Sequence, residues 1–186
     1  MQDYLMTLLG GLAITLQLTA FSLLLGVLLA IGMTWVLERR LPVATQLVQL
    51  WVLIFTGTPL LIQIFLIYYG PGQFEWLKAG PLWPLLKQPW FCAVLALGFN
   101  TAAYSTRLFK GALDAIPAGE VEACRALGFS AGQTLWMKTR HAARRLVPAY
   151  SNEVILVLKG SSLASTITIM DIMGLAQRLN AQTYDT

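Results

Sequence analysis

Charged residues are scarce in this chain of 186 residues, and those present are unevenly distributed. They make up only 12% of the sequence, while hydrophobic residues make up 56%; a soluble domain typically contains about 25% charged residues. Residues 4–37, 41–74 and 88–106 contain no charged side chain. Because a helix crosses a bilayer core of about 30 Å with about 20 apolar residues, each segment is long enough to contain a membrane-spanning helix. The composition therefore argues against a water-soluble protein.

The sequence also lacks the motifs of ATP-hydrolysing and other hydrolytic enzymes. It contains no Gly-Lys dipeptide, so no Walker A loop is available to hold nucleotide phosphates. His141 is the only histidine, and without a second histidine or a cysteine nearby we interpret it as a solvated helix residue, not as a metal ligand or general base. We expect no catalytic residue, no metal site and no cofactor in this chain, and no nucleic-acid partner.

Continuous apolar runs without polar alternation predict an all-α membrane protein, not a β-barrel. The whole chain, residues 1–186, is expected to form a single transmembrane domain whose first span stays in the mature protein, because it is too long for a signal peptide. The fourth run is interrupted by Glu153, Lys159 and several hydroxyl residues, so we expect it to face protein or water. The four predicted spans are approximately 12–37, 45–69, 90–109 and 150–172.

The basic residues predict the orientation of the chain. Alternating the four spans places nine of the 13 Lys and Arg residues on one side, which the positive-inside rule assigns to the cytoplasm. The N-terminus is then outside, and residues 110–149 form a long cytoplasmic loop. The nine basic residues on the cytoplasmic side are Arg39, Arg40, Arg107, Lys110, Arg125, Lys138, Arg140, Arg144 and Arg145.

The same orientation places Cys92 and Cys124 on opposite sides of the membrane. We therefore expect neither a disulfide between them nor a cysteine metal site.

A short helix is predicted early in this loop. Its first turn is acidic, its last turn is basic and a glycine follows directly, which is the charge order and cap chemistry of a helix. It has no apolar stripe sufficient to hold it against the membrane, and we expect it to dock on a partner. The residues concerned are Glu120 and Glu122, which with Arg125 would make the contacts, Ala123 and Cys124, which would allow close packing, and Gly128, which would turn the chain.

A second, basic and amphipathic helix is predicted after the short one. Ser130 followed by Gln133 has the spacing of a capping box. Basic side chains then alternate with Leu135, Trp136 and other apolar residues. We interpret this helix as lying on the anionic cytoplasmic leaflet, where each basic residue contributes about 1 kcal/mol.

Several stretches resemble the permease subunits of polar amino-acid importers of the ATP-binding-cassette (ABC) type, the histidine, glutamine and arginine group. Residues 55–65 (Phe-Thr-Gly-Thr-Pro-Leu-Leu-Ile-Gln-Ile-Phe) are similar to the second-span signature of that family. Residues 122–128 (Glu-Ala-Cys-Arg-Ala-Leu-Gly) resemble its EAA loop, whose pattern is Glu-Ala-Ala, three residues, Gly. Further similar stretches are 103–104, 109–112, 116–117, 148–154 and 161–171.

The resemblance implies a helical bundle like that of a type I ABC importer permease, which forms half of a translocation pathway in the bacterial cytoplasmic (inner) membrane. The implied partners are a second, different permease subunit, two copies of an ATPase subunit that bind ATP, an external solute-binding protein and an amino-acid substrate, with arginine the leading candidate. The short helix would receive force from the ATPase. Gly57, Thr58 and Pro59 would either kink a helix or shape the lining of the pathway.

The resemblance also implies a fifth span, about one helix length beyond Thr186. This chain stops without that span. We therefore expect either a fragment of a longer product or a shortened product, and we expect that a chain ending at Thr186 does not support transport.

Polar residues at span depth are candidates for the substrate pathway. They could hydrogen-bond a zwitterion, or could equally satisfy a neighbouring helix. Glu153 is the only acid well placed to meet a cationic substrate, although a structural pair with the partner subunit or with a backbone carbonyl is the favoured alternative. The candidates are Gln63, Asn100, Tyr104, Asn152, Glu153, Ser162 and Thr166.

Two functional hypotheses remain open on the sequence. The first is a transport subunit coupled to a separate ATPase. The second is a membrane channel or assembly subunit without an ATPase, or a truncated permease that does not function. A membrane enzyme has no candidate residues.

Overall fold

The computed structural model describes residues 2–183, and every regular element in that range is a helix. Two of the α-helices are single turns in the segment between the second and third predicted spans. The α-helices are α1 (Gln2–Arg39), α2 (Pro42–Gly57), α3 (Leu60–Tyr69), α4 (Glu75–Lys78), α5 (Trp83–Leu86), α6 (Pro89–Asp114), α7 (Ala118–Ala126), α8 (Ala131–Gly160) and α9 (Ile172–Thr183). Short 3₁₀-helices occupy Pro71–Gln73 and Ser161–Ile167.

Within the described residues, one helix is long and apolar enough by itself to cross a membrane, Leu5–Arg39. Two bent helix pairs raise the number to three if each pair is a single span: Pro42–Gly57 with Leu60–Gln73, bent by 108°, and Ala131–Ile167 with Ile172–Gln182, bent by 50°. The predicted third span lies within the 26 residues of α6. The number of four spans and the external N-terminus stay predictions.

The predicted fourth span, 150–172, is not one helix. The basic helix predicted inside the cytoplasmic loop does not end before it, because α8 runs through Pro148 to Gly160 without a break. The chain then tightens into a 3₁₀-helix, and the hydroxyls of Ser162, Ser165 and Thr166 each donate to the carbonyl three residues earlier, at 2.6–2.8 Å. Such hydroxyl bonds compete with the regular α-helical ladder, which is why a run of Ser and Thr ends α8 here.

The core is organised around α6, which packs against α1, α2, α3 and α8. The contact with α1 is close because two glycines lie in it. A Cβ atom at Gly26 would lie 2.5 Å from Cγ2 of Thr101, and one at Gly98 would lie 2.7 Å from Cδ2 of Leu25. Small residues let helix backbones approach in this way. The main apolar cluster includes Leu18, Ile64, Ala93, Ala96, Ala164 and Ile167.

The N-terminal half of α1 supports the start of α9. The Thr15 hydroxyl accepts from the backbone N–H of Ile172 at 3.3 Å, and the Asp171 carboxylate accepts from the N–H of Gly174 at 2.8 Å. Gly11 lies directly against this turn: a Cβ atom there would lie 2.6 Å from the Ile172 nitrogen. The helix start is therefore satisfied partly by a side chain from a distant part of the chain.

Gly11→Ala should destabilise the protein, because the new methyl group meets backbone atoms that cannot rotate away. We expect a loss of about 1–3 kcal/mol, typical of overpacking. Gly10→Ala is the matched control, since a Cβ atom there has no neighbour within 4 Å and alanine favours helix. Thermal unfolding of the full chain in detergent measures both. Equal midpoints for the two variants would contradict the packing described for α1 and α9.

Candidate functional site

The break between α2 and α3 is the first feature of the candidate site, and Pro59 explains it. Proline has no N–H, so the carbonyl of Phe55 loses the donor that an unbroken helix would supply four residues later. The preceding carbonyl, of Ile54, is satisfied locally by the backbone N–H and the hydroxyl of Thr58, at 3.1 and 2.8 Å. The Phe55 carbonyl must therefore find a donor outside its own helix.

Two side-chain amides supply that donor. Nε2 of Gln63 lies 3.0 Å from the Phe55 carbonyl and 3.0 Å from the Thr58 carbonyl. Nδ2 of Asn100, on α6, donates to the same Phe55 carbonyl at 3.1 Å and to Oε1 of Gln63 at 3.0 Å. The two amides thus join the broken helix to α6. Both residues were predicted as pathway candidates, and in this structure their amide hydrogens are directed at the protein itself.

Aromatic side chains pack beside the break between α2 and α3. The rings of Trp51 and Phe55 stack with centroids 4.5 Å apart, and Phe99 meets Trp51 edge-on at 5.0 Å. Phe99 directly precedes Asn100 on α6. These ring contacts therefore fix the position of the Asn100 amide relative to α2.

A cavity of about 190 Å³ lies beside this network. Its wall contains one acid, Glu153 on α8, whose residue is only 5% exposed. Asn100 and Tyr104 on α6 present an amide and a phenol to the same cavity. A buried carboxylate beside neutral hydrogen-bonding groups can receive an ammonium or guanidinium group. The lining residues are Leu60, Leu97, Asn100, Thr101, Tyr104, Glu153, Leu156 and Val157.

The structure brings together three of the seven predicted pathway residues in this cavity: Asn100, Tyr104 and Glu153. Asn152, next to Glu153, is exposed on another face of α8. The hydroxyls of Ser162 and Thr166 belong to the 3₁₀-helix and donate to its carbonyls. Sequence reasoning missed Thr101, which also lines the cavity. Its position one residue after Asn100 and three before Tyr104 on one helix was the available signal.

The predicted short helix in the cytoplasmic loop is α7. It has Glu120 in its first turn and Arg125 in its last turn, as predicted. Gly128 has φ +77°, the left-handed conformation that glycine adopts without strain. Its N–H donates to the Arg125 carbonyl at 3.0 Å, and the N–H of Phe129 donates to the Cys124 carbonyl at 2.9 Å. These two bonds form a Schellman motif. The capping box predicted for the next helix is also confirmed, because Ser130 and Gln133 exchange both hydrogen bonds.

The inner face of α7 is attached to the rest of the chain. Val121 packs on a small apolar cluster of Leu113, Ile116 and Ala142. Cys124 is buried, so its side chain belongs to this inner face and differs in exposure from Ala123, with which it was grouped. The apolar side chains of α7 are thus used for contact with α6 and α8, and the expectation that they do not suffice to hold the helix against a membrane stays a prediction.

The outer face of α7 is left open. Glu122, Ala123 and Arg125 are exposed. Glu120 is the exception, because its carboxylate lies 3.3 Å from Nδ1 of His141 on α8. His141 was interpreted as a solvated residue; its side chain is 37% exposed, and it lies beside the Glu120 carboxylate as well. The exposed residues form a rigid, capped surface that a partner protein can contact.

A cluster of charged side chains joins the C-terminal end of α1 to α6 and α8. Glu38 pairs with Lys138 and lies 3.7 Å from Lys110, which also pairs with Asp114. Sequence reasoning did not find this cluster, because its members are far apart in the chain. It ties α8 to the membrane helices near the base of α7.

Comparison with known proteins gives a match over nearly the whole chain. Residues 22–185 match the family of binding-protein-dependent transport system inner membrane components. The chain is 52% identical over 184 residues to the Arginine ABC transporter permease protein ArtM of Haemophilus influenzae, covering 99% of this chain and 81% of that protein. It is 50% identical over 186 residues to ArtM of Escherichia coli, covering 100% and 84%.

A more distant relative and a solved structure agree with this match. The Octopine transport system permease protein OccM of Rhizobium radiobacter is 42% identical over 180 residues, covering 96% of this chain and 74% of that protein. A chain from the "Crystal structure of an amino acid ABC transporter with histidines" superposes with a TM-score of 0.88 at 27% identity, covering 100% of this chain and 83% of that one. The expected type I permease bundle is thus confirmed as the fold.

Gln63→Met should destabilise the protein, because methionine keeps the length of the side chain but can neither donate to the Thr58 carbonyl nor accept from the Asn100 amide, and leaves the Phe55 carbonyl with Asn100 as its one side-chain donor. Loss of a hydrogen-bond partner by a buried polar group costs about 1–3 kcal/mol. Gln49→Met is the control, since Gln49 is exposed on α2 and surface changes usually stay within about 0.5 kcal/mol. Unfolding midpoints in detergent report both changes. A Gln63→Met protein as stable as the control would show that the amide does not support the break.

Proposed function

We propose, since this chain belongs to the family of binding-protein-dependent transport system inner membrane components, that it is the transmembrane permease subunit of an ATP-driven amino-acid importer. Its substrate is L-arginine or another basic or polar amino acid. The observation that carries the substrate class is the cavity beside the helix break, where the buried carboxylate of Glu153 faces the same space as Asn100 and Tyr104.

The cavity supports a cationic amino acid on electrostatic grounds. A charge that leaves water needs an opposite charge and hydrogen-bond partners. Glu153 supplies the charge and Tyr104 a hydroxyl, and Leu60, Leu97 and Val157 form apolar parts of the wall.

The chain acts together with other proteins in this proposal. ATP is bound and hydrolysed by two copies of a separate ATPase subunit, because this chain has no Walker A loop. A second, different permease subunit completes the pathway in the bacterial cytoplasmic membrane, and an external solute-binding protein delivers the substrate. The proposal rests on the names of the relatives, which are permease proteins of transport systems.

The exposed face of α7 is the proposed contact with the ATPase. Force passes between two proteins only through an element that is rigid and fixed to both. α7 is capped at its C-terminal end by Gly128 and attached to α8 through Val121 and the Glu120–His141 pair. The alternative of a channel without an ATPase is not favoured, because the similar proteins are ABC transporter permeases.

Glu153→Gln should weaken the response to arginine, because the amide keeps the shape of the side chain and removes its charge. Loss of one charged hydrogen bond costs about 1.5–3 kcal/mol, so the arginine concentration for half-maximal stimulation should rise roughly ten- to hundredfold. Arginine-stimulated ATPase activity and uptake in the reconstituted complex measure this. Glu75→Gln, in an exposed acid of the 70–89 loop, is the control. An unchanged response would remove Glu153 from the substrate site and leave the permease assignment intact.

Glu122→Lys and Gly128→Asp should uncouple transport from ATP hydrolysis. The first reverses a charge on the exposed face of α7, and the second places a non-glycine residue at φ +77°. Coupling energies between sites correspond to effects of roughly 5- to 150-fold, and we expect uptake per ATP hydrolysed to fall within this range. Gly128→Asn is the control for charge, because asparagine and aspartate are both enriched in the left-handed region and only aspartate is charged. Normal uptake by both coupling variants, with normal amounts in the membrane, would exclude α7 as the coupling element.

A further inference from the structure

Two hydroxyl groups close to Glu153 are buried and have no hydrogen-bond partner among the described residues. They belong to Thr101 on α6 and to Tyr150 on α8. Thr101 is 1% exposed and lines the same cavity as Glu153. A buried hydroxyl without a partner destabilises a folded protein, so two of them around one acid require an explanation.

The two hydroxyls approach Glu153 from different helices. α6 packs against α8, and the Thr101 hydroxyl lies next to the Glu153 carboxylate. Tyr150 precedes Glu153 by three residues, so both side chains share one face of α8. The Tyr150 hydroxyl lies near the same carboxylate and next to the hydroxyl of Ser105 on α6. Glu153 is therefore flanked by one hydroxyl across the helix interface and by one from its own helix.

Packing leaves the Thr101 hydroxyl available to Glu153. A threonine within a helix can donate to the carbonyl four residues earlier, as Thr106 of the same helix does to Ala102 at 2.6 Å. Thr101 makes no such bond. Its methyl group lies against Gly26 of α1, where a Cβ atom would be 2.5 Å from Cγ2 of Thr101. This close contact holds the side chain in one rotamer, with the hydroxyl beside Glu153.

The Tyr150 side chain is also held in place. Phe109 on α6 packs against it with ring centroids 5.9 Å apart. A phenol can accept one hydrogen bond while it donates another, so Tyr150 can accept from Ser105 and donate to Glu153. Hydrogen bonds in such a chain strengthen one another. A bond from Tyr150 to the carboxylate therefore also supplies the Ser105 hydroxyl with a partner.

Glu153 needs such donors in order to carry a charge at this position. Among residues 2–183, no basic side chain lies within ion-pair distance of its carboxylate. A buried charge requires hydrogen-bond donors or an opposite charge. A carboxyl group that is neutral or rotates freely holds a guanidinium or ammonium group less well, because charged and well-directed hydrogen bonds are the strong ones.

We propose that Thr101 and Tyr150 are positioning residues, whose hydroxyls donate to the Glu153 carboxylate and hold it charged and directed at the cavity for the cationic side chain of the substrate. The inference rests on the proposed function, which assigns Glu153 to the substrate. Neither hydroxyl has to reach the substrate itself, in agreement with the burial of both oxygen atoms. Removal of either hydroxyl weakens the response to arginine through Glu153.

Single variants in the reconstituted complex give the first measurement. Tyr150→Phe and Thr101→Val each remove a hydroxyl and keep the shape of the side chain. We expect the arginine concentration for half-maximal ATPase stimulation to rise roughly two- to tenfold in each, the effect of one hydrogen bond. Thr106→Val and Tyr69→Phe are the matched controls and should respond as wild type. The Thr106 hydroxyl bonds its own helix, and Tyr69 is exposed on α3.

A double-mutant cycle separates positioning from a merely structural role. If the Tyr150 hydroxyl acts through the charge of Glu153, adding Tyr150→Phe to Glu153→Gln should change the half-maximal concentration by less than about twofold. The same is expected for Thr101→Val in the Glu153→Gln background. Effects that multiply in the double variants would show that the hydroxyls act independently of Glu153, and would overturn the proposal.

Thr101→Ser provides a rescue, because serine keeps the hydroxyl and lacks only the methyl group. It should lose less of the response than Thr101→Val, with equal amounts of assembled complex measured for every variant. Equal losses in these two variants, or a wild-type response of both Tyr150→Phe and Thr101→Val, would also overturn the proposal.

Failure of the proposed function would look different. An unchanged response of Glu153→Gln alone would remove the substrate site together with its positioning residues. The absence of stimulation by any amino acid in the wild-type complex would contradict the importer assignment. A weakened Glu153→Gln with unaffected Tyr150→Phe and Thr101→Val would contradict the positioning role alone.

Discussion

The candidate site depends on the hydrogen bonds to the Phe55 carbonyl. Pro59 cannot donate to this carbonyl, and the side-chain amides of Gln63 and Asn100 donate to it instead. A backbone group without a partner costs several kcal/mol in hydrocarbon, so a helix can break there only where other parts of the protein complete its hydrogen bonds. The completing groups come from α3 and from α6. The hydrogen bonds at the break therefore hold α2 and α3 against α6, the central helix of the fold.

The second break follows the same rule with other groups. After α8 ends, hydroxyls of the 3₁₀-helix satisfy carbonyls within that segment, and Thr168 adopts a left-handed conformation at φ +71°. The start of α9 is then satisfied by the carboxylate of Asp171 and by the Thr15 hydroxyl of α1. The cavity lined by Glu153 lies between these two breaks in the chain, and Leu60, the first residue of α3, forms part of its wall. The first break thus lies beside a cavity, in keeping with the rule that irregular backbone in a membrane protein is buried in protein or lines a cavity.

Local signals were predictable from the sequence, and contacts between distant residues were not. The acidic first turn, Gly128 and the Ser130–Gln133 box predicted α7 and the start of α8 because a helix end is determined by residues within one turn. The continuity of α8 through Pro148 was not predicted, because proline is tolerated wherever packing supplies the missing bond. The Glu120–His141 pair and the burial of Cys124 depend on how α7 folds back on α8, and no spacing in the sequence specifies that angle. Gln63 and Asn100 could be selected from the sequence because they are polar residues within predicted spans. Their shared acceptor, the Phe55 carbonyl, could not be predicted, because it depends on how α2, α3 and α6 pack together.

The continuity of α8 has a mechanical consequence. One helix contains His141, which contacts α7, and Glu153, which faces the cavity. The two residues are twelve positions apart, about 18 Å along the helix axis. A helix of this length moves as a unit unless a kink absorbs the motion, and Pro148 lies between the two residues as the one position where the hydrogen-bond ladder is weakened. We therefore expect a displacement of α7 to reach the Glu153 carboxylate either as a rotation of the whole helix or as a change of bend at Pro148. Either movement would alter the distance between that carboxylate and Asn100, whose amide is bound to the Phe55 carbonyl.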